Sequence, residues 1–310
     1  MAILDFKEAI QLGKRCSGTV LLNEVPTTRA TRNNGRFMSG QFLNSEGQID
    51  FRIWDESMIE MVQRNGSGLY HIQSEGASYN DQTYINVKAI APETDPQYER
   101  EQFLPAIDEK RVLAIRDTAY AQLRKLGATE RCFELLEDLL AAPDVDARFL
   151  KEGAAVRHHD NLVHGLAHHS YKMLYLAVTM MQLYPFMREH VDLFTIGIVL
   201  HDVGKIYEYD HLSMGEFWYA NHRVRGIEFL AGQKDRIIAA YDEAFYRQLQ
   251  AIIQGHHGQY EDRPCTVATL IVHWIDSLEA QMTGLEAQLA KLGNEKQLRW
   301  PDFGFLYTFD

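Results

Sequence analysis

The sequence predicts a multidomain α+β chain, with a small N-terminal β-barrel followed by an all-α domain. Three observations carry that expectation. From Ser17 onward, apolar and polar side chains alternate with period two, in runs bounded by turn residues, up to about residue 90. Beyond residue 100 the apolar spacing becomes helical and strand signals all but vanish. Between the two regions, residues 91–100 (APETDPQYER) carry two prolines and three acids, the composition of a linker.

Taken in order, residues 1 to about 14 read as a short helix. Residues 19–22, 36–43 and 48–54 read as three strands, the last two joined through Asn44-Ser45-Glu46-Gly47, a hairpin-turn composition. Asp55 is placed to cap a helix over residues 56–64. Residues 68–73 and 83–90 supply two further strands. Three strands, a short helix and two strands is the order of an OB-fold barrel. Such barrels hold single-stranded nucleic acid with the loop after the first strand, the loop between the fourth and fifth, and an open face. The first of these loops, residues 26–36, is polar and basic; Arg29, Arg32 and Arg36 are its only cations and candidate phosphate contacts. Phe37, Phe42, Phe51, Trp54 and Tyr84 are candidates for stacking bases, although for any one of them the barrel core is the more ordinary place.

Composition narrows the function classes. The 310 residues are 46% hydrophobic and 24% charged, enough to bury a sizeable core and unlike a disordered or collagenous chain. The longest apolar stretch, residues 193–200, is far shorter than the roughly 20 residues that cross a bilayer, so no membrane partner is expected. Asp5 and Glu8 break up the N-terminal apolar residues, unlike a secretory signal. Cys16, Cys132 and Cys265, without CxxC spacing, read as reduced thiols, which points to the cytoplasm. The net charge of −12 excludes general attraction to nucleic acid and leaves a local basic patch as the route to binding. Residues 1–95 contribute −3 of that charge, so the acidity lies mostly in the helical part.

The histidines are the informative feature. Twelve of the 13 fall between His158 and His273. A helix over about 162–183 carries the apolar stripe Leu162, Leu166, Met173, Leu176, Ala177, Met180, and His169 sits within it. Residues 193–200 read as a buried helix that ends in His201-Asp202-Val203-Gly204-Lys205. Residues 270–276 place Asp276 in a nearly all-apolar helix, where an acid is costly unless paired or metal-bound. His256 continues the stripe Leu249, Ile252, Ile253 and also faces inward. Imidazole nitrogen and carboxylate oxygen together suit Mn, Fe, Co, Zn or Ni.

The series His169, His201-Asp202, Asp276 matches the H…HD…D signature of the HD-domain metal-dependent phosphohydrolases, and His201–Lys205 resembles their HDxGK motif. The flanking runs go further. His158-His159 ahead of Gly165-Leu166-Ala167-His168-His169, then Tyr184-Pro185, Gln254-Gly255-His256-His257-Gly258 and residues 270–282, resemble the YhaM-type 3′→5′ exoribonucleases, which join an OB-fold to an HD domain. The likeness is weak over residues 15–95 and strong over 156–285. Gln254 departs from a frequent serine, His168 from a common Tyr or Glu, and Ala220-Asn221-His222-Arg223 from a more glycine-rich run; these bear on substrate preference rather than on the metal site.

The resemblance implies an OB-fold nucleic-acid-binding domain over 1–96, a helical linker over 97–155, an HD domain over 156–293 and an aromatic-rich tail over 294–310. It implies His169, His201, Asp202 and Asp276 as metal ligands, with His222, His256 and His257 as ligands of a second ion. Asp202 would bridge the ions or orient water, Lys205 would stabilise charge on the phosphoryl oxygens, and His158 and His159 would contact phosphate or sugar. The cofactor implied is a divalent ion, manganese first, with Fe, Co, Ni, Zn or Mg as alternatives. The activity implied is hydrolysis of single-stranded RNA, with DNA as a further substrate, from the 3′ end to nucleoside 5′-monophosphates. A nucleotide phosphohydrolase and a non-catalytic OB/HD binding protein stay open as alternatives, and the tail leaves open a homo-oligomer.

Overall fold

The structure is a computed structural model that describes residues 2–30, 35–79, 82–143, 145, 148–154, 162–210, 212–216, 218–258, 263–293, 295–301 and 303–309. The chain divides into two units, Met1–Ala106 and Ile107–Asp310.

The first unit opens with α1 (Phe6–Ala9), capped by Asp5, whose carboxylate accepts from the Glu8 amide. This helix is shorter than expected because its flanks pair with strands instead: Ile3 bridges Thr19 and Leu12 bridges Gly76. The strands are β1 (Arg15–Leu22), β2 (Thr28–Ala30), β3 (Arg36–Asn44) and β4 (Gly47–Ile53), then α2 (Glu56–Asn65), then β5 (Gly68–Tyr79) and β6 (Gln82–Pro92). Asp55 caps α2 by accepting from the Met58 amide. The three strands, helix and two strands read from the sequence are all present, with β2 added inside the expected loop.

The pairings run in a circuit. β1 pairs antiparallel with β5, β5 with β6, β6 lies parallel to β4, β4 pairs with β3, and β3 returns to β1 through Leu21↔Leu43. Alternate residues turn inward to one core that includes Val20, Leu22, Met38, Phe42, Ile49, Phe51, Ile53, Tyr70, Ile72, Ile85 and Val87. β5 runs well past residue 73 because Gly76 admits a close neighbour: a Cβ there would lie 2.1 Å from the Gln11 carbonyl oxygen.

The second unit contains α3 (Glu109–Lys125), α4 (Glu130–Leu140), α5 (Arg148–Lys151), α6 (Gly165–Leu183), α7 (Val191–Leu200) and α8 (Lys205–Glu208). A two-stranded piece follows, β7 (Tyr209–Asp210) with β8 (Ser213–Met214). Then come α9 (His222–Gly232), α10 (Lys234–Ala240), α11 (Glu243–Gly255) and α12 (Val267–Leu292), and the hairpin β9 (Gln297–Trp300) and β10 (Gly304–Tyr307). Every residue of α7 is buried, so it forms the axis around which the others pack.

One expectation is corrected here. Residues 97–155 are not a helical linker: the first ten fall in unit 1, and α3 and α4 bury Val112, Ala119, Leu123, Phe133, Leu136 and Leu139 in the same core as α6 and α7. The second unit is helical as expected, with the short β7–β8 pair and the tail hairpin added; Leu298 anchors the hairpin, while Phe303, Phe305, Tyr307 and Phe309 are exposed. The ends of α4 and α7 are tied by Asp192. Its carboxylate accepts from the Thr129 amide at 2.9 Å, the Thr129 hydroxyl at 2.6 Å and the Tyr241 hydroxyl at 2.9 Å.

Candidate functional site

Five helices deliver seven polar side chains to one buried place in the second unit. α6 carries His169 and α12 carries Asp276. His201 and Asp202 emerge where α7 ends, His222 opens α9, and His256 and His257 follow α11. His201 and His256 are fully buried, and His169, Asp202 and His222 nearly so. Ligand atoms of Asp202, His222, His256 and His257 lie within 4.8 Å of one another; so do those of His169, His201 and Asp202, and those of His201, His256 and Asp276. Asp202 is thus common to a group on the α6–α7 side and a group on the α9–α11 side.

The imidazoles share one orientation. His201 Nδ1 donates to the Ile198 carbonyl at 2.7 Å and His256 Nδ1 to the Ile253 carbonyl at 2.9 Å. His222 Nδ1 donates to Glu208 at 2.7 Å, and His169 Nδ1 donates to Glu279. With Nδ1 occupied, each ring turns Nε2 toward the carboxylates: His169 to Asp276 at 3.1 Å, His201 to Asp202 at 3.2 Å, His256 to Asp202 at 3.3 Å and His222 to Asp202 at 3.4 Å. His201 Nε2, His256 Nε2 and Asp202 Oδ1 are buried yet make no hydrogen bond among the described residues. Buried polar atoms are almost always satisfied, so three converging unsatisfied ones fit a cation bound between them. A donor set of imidazole nitrogen and carboxylate oxygen fits a first-row transition ion.

The electrostatics follow from those neighbours. Burial opposes charge on His169, but Asp276 and Glu279 outweigh it and raise its pKa to about 10. Burial lowers His256 to about 4, although Asp202 pulls the other way. Burial would raise the Asp202 carboxyl; Lys205 and His201 overcome it and hold the group well below the usual carboxylate range. Lys205 Nζ lies 2.6 Å from Asp202 Oδ2, and this contact keeps the ammonium charged against burial.

Glu208 and Glu279 were missed by sequence reasoning. Glu279 had a signal, standing one helical turn past Asp276 on an apolar helix. Glu208 had none, because α8 is too short to display a period. His158, His159 and Arg32 lie outside the described residues.

The other expected residues lie in the first unit. Arg29 is exposed on β2, and Arg36 is ion-paired with Glu56. The aromatic candidates divide by strand parity. Phe42 and Phe51 stack on each other in the core, the second of the two places the sequence allowed them. Phe37 and Trp54 stack at 4.8 Å on the opposite face, with Trp54 49% exposed. Arg52 shares that face, its guanidinium 3.9 Å from the Tyr84 ring centre and 5.3 Å from that of Tyr79.

Residues 166–281, which hold the His/Asp cluster, match the HD domain family model. The chain as a whole is similar to the proteins named 3′-5′ exoribonuclease YhaM. It is 24% identical to that of Bacillus subtilis strain 168 over 275 residues, which cover 86% of this chain and 85% of the relative. It is 24% identical to that of Listeria welshimeri serovar 6b, covering 84% of each chain, and 22% identical to that of Geobacillus sp. strain WCH70, covering 91% and 87%. Among solved structures, the mitochondrial single-stranded DNA binding protein Rim1 of S. cerevisiae matches 26% of this chain and 92% of its own, at 14% identity and a TM-score of 0.23. The HD domain and these relatives mark the chain as a hydrolytic enzyme, and HD domains are metal-dependent. Among the described residues no helix is long and apolar enough to cross a membrane.

Proposed function

We propose that this chain is a metal-dependent exonuclease that hydrolyses single-stranded RNA from the 3′ end and releases nucleoside 5′-monophosphates. The observation that carries the reading is the pair of donor groups sharing Asp202, with imidazole Nε2 atoms converging on it. His169, His201, Asp202 and Asp276 would hold one divalent ion, manganese by preference, and Asp202, His222, His256 and His257 a second. Such ions supply Lewis-acid neutralisation of the phosphoryl oxygens and a more acidic attacking water.

The chain's own groups do the rest. Asp202, ionised and shared, fixes the spacing of the two halves of the centre. Lys205, held as a cation, adds positive charge beside the phosphoryl oxygens as charge builds on them. Ligands buried among five helices would be reached by a chain end more readily than by a mid-strand phosphate.

The first unit, read as an OB-fold, would hold the strand behind that end. Phe37, Trp54 and Tyr79 offer ring faces to bases, and Arg52 and Arg29 offer charge to phosphates. Covalent linkage of this unit to the catalytic one raises the effective concentration of substrate at the centre. The similarity to relatives named as 3′-5′ exoribonucleases supports the substrate and the polarity.

The test is digestion of a 5′-labelled single-stranded RNA with manganese. A descending ladder of labelled fragments is expected, with no reaction on a 3′-phosphate-blocked strand or a blunt duplex. Immediate release of the labelled mononucleotide would mean attack from the 5′ end. Hydrolysis of free nucleotides with the strand left intact would favour a nucleotide phosphohydrolase.

A further inference from the structure

We infer that Glu279, Lys172 and Thr283 form a positioning set for the His169 imidazole, a role that rests on the metal-centre reading above. Glu279 is 2% exposed, and a buried carboxylate is costly unless its oxygens are paired. Both are. Oε2 accepts from His169 Nδ1. Oε1 pairs with Lys172 Nζ and accepts from the Thr283 hydroxyl at 2.6 Å. Lys172 Nζ also donates to the Thr283 hydroxyl oxygen, so carboxylate, ammonium and hydroxyl close a triangle.

The spacing builds this triangle into two helices. His169 and Lys172 are three residues apart on α6; Asp276, Glu279 and Thr283 are separated by three and four on α12. Those are same-face intervals, so the two helices meet along one polar ladder set in an apolar interface. His169 is thereby held from α12 at both ring nitrogens, by Asp276 at Nε2 and by Glu279 at Nδ1. Free to rotate, Glu279 would let the ring swing away from Asp276; the ammonium and hydroxyl at its second oxygen deny that freedom. None of the three residues needs to touch a substrate to act in this way.

The experiment compares Glu279→Ala, Lys172→Met and Thr283→Val with Asp192→Asn, which disturbs a buried network in another part of the same unit. Two readouts are taken on the full chain. In metal-free protein, the His169 Nδ1–H proton should be slow enough in exchange to appear in the NMR spectrum of the parent and should vanish in Glu279→Ala. In calorimetric titration with manganese alone, Glu279→Ala should bind about 10–100-fold more weakly. Lys172→Met and Thr283→Val should show smaller losses, and Asp192→Asn should lower the melting temperature with manganese affinity unchanged. Undiminished affinity and a persistent N–H signal in Glu279→Ala overturn the inference. So does an affinity loss that merely tracks lost stability and appears equally in Asp192→Asn. A parent protein that binds no manganese overturns the metal-centre reading instead, and the N–H signal still decides whether Glu279 holds the ring.

Discussion

A Cβ at Gly204 would stand 1.8 Å from the carbonyl oxygen of His222. The backbone at Gly204 is ordinary, with φ −64°, so the glycine is required by space and not by conformation. Its missing side chain lets the turn after Asp202 lie directly on the first turn of α9, and this contact sets how far His222 stands from Asp202. Replacing Gly204 by Ala should therefore push α9 outward. We expect a loss of about 1–3 kcal/mol from overpacking, read as a lower midpoint in denaturant. We also expect weaker manganese binding than that stability loss explains.

Metal content should divide according to the two donor groups. Asp202 belongs to both the α6–α7 and the α9–α11 group, whereas His257 belongs to the latter alone. Elemental analysis should find bound transition metal in the parent, none in Asp202→Ala, and a reduced amount in His257→Ala. Equal metal in parent and Asp202→Ala would remove Asp202 from the centre.

Strand binding should follow the exposed face of the first unit. Trp54→Ala should cost about 1–3 kcal/mol of binding to a short single strand, the worth of one stacked base. Arg52→Ala should flatten the slope of log affinity against log salt by about 0.7, one phosphate contact on a single strand. Phe42→Ala should instead destabilise the fold by about 3–5 kcal/mol, because its ring is core. Fluorescence anisotropy at several salt concentrations, beside thermal melts, separates the two effects.

A further prediction concerns acid. Glu93 Oε1 accepts from the amides of Thr94 and Asp95, and Oε2 from the Thr19 hydroxyl at 2.7 Å. The Asp95 amide and the Thr19 hydroxyl hold its pKa below the ordinary 4.5. A lowered folded value means the ionised form is favoured on folding, so the stabilisation is complete above pH 4.5 and fades as pH falls through the folded value. Glu93→Gln should melt lower than the parent at pH 7, and the gap should close on acidification. A gap that stayed constant from pH 7 to strongly acidic solution would contradict this assignment.

Much of this was legible in the residues, for identifiable reasons. Asp55, Gly47 and the alternating runs act locally, and α2, the β3–β4 turn and the strands fell where they predict. His169 and Asp276 were legible because a polar residue in an apolar stripe is visible without a partner. Parity also separates Phe37 from Phe42 and Phe51 from Trp54, since odd spacing along a strand puts side chains on opposite faces. Which face is the core depends on pairing with other strands, and no local signal supplies that. The same holds for Gly76 and Gly204, whose need to lack a side chain arises from Gln11 and His222 on the opposing chain segments. The role of residues 107–155 in the helical core was hidden for a related reason. An amphipathic helix announces an apolar face but not the partner it will meet.

The ring of strands in the first unit is sewn unevenly. β1 meets β5 over eight residue pairs, from Arg15↔Glu75 to Leu22↔Gly68, but among the described residues it meets β3 at Leu21↔Leu43 alone. The β4–β6 junction is also short, at two pairs, but the single pair between β1 and β3 is the thinnest seam, and a ring opens first at its thinnest seam. Amide deuteration should therefore reach Leu43 earlier than the β1 amides bonded to β5. Once parted, β1 and β3 present bare edges, each able to recruit a strand from another molecule. Heat or mild denaturant should thus turn this unit sticky before it turns loose.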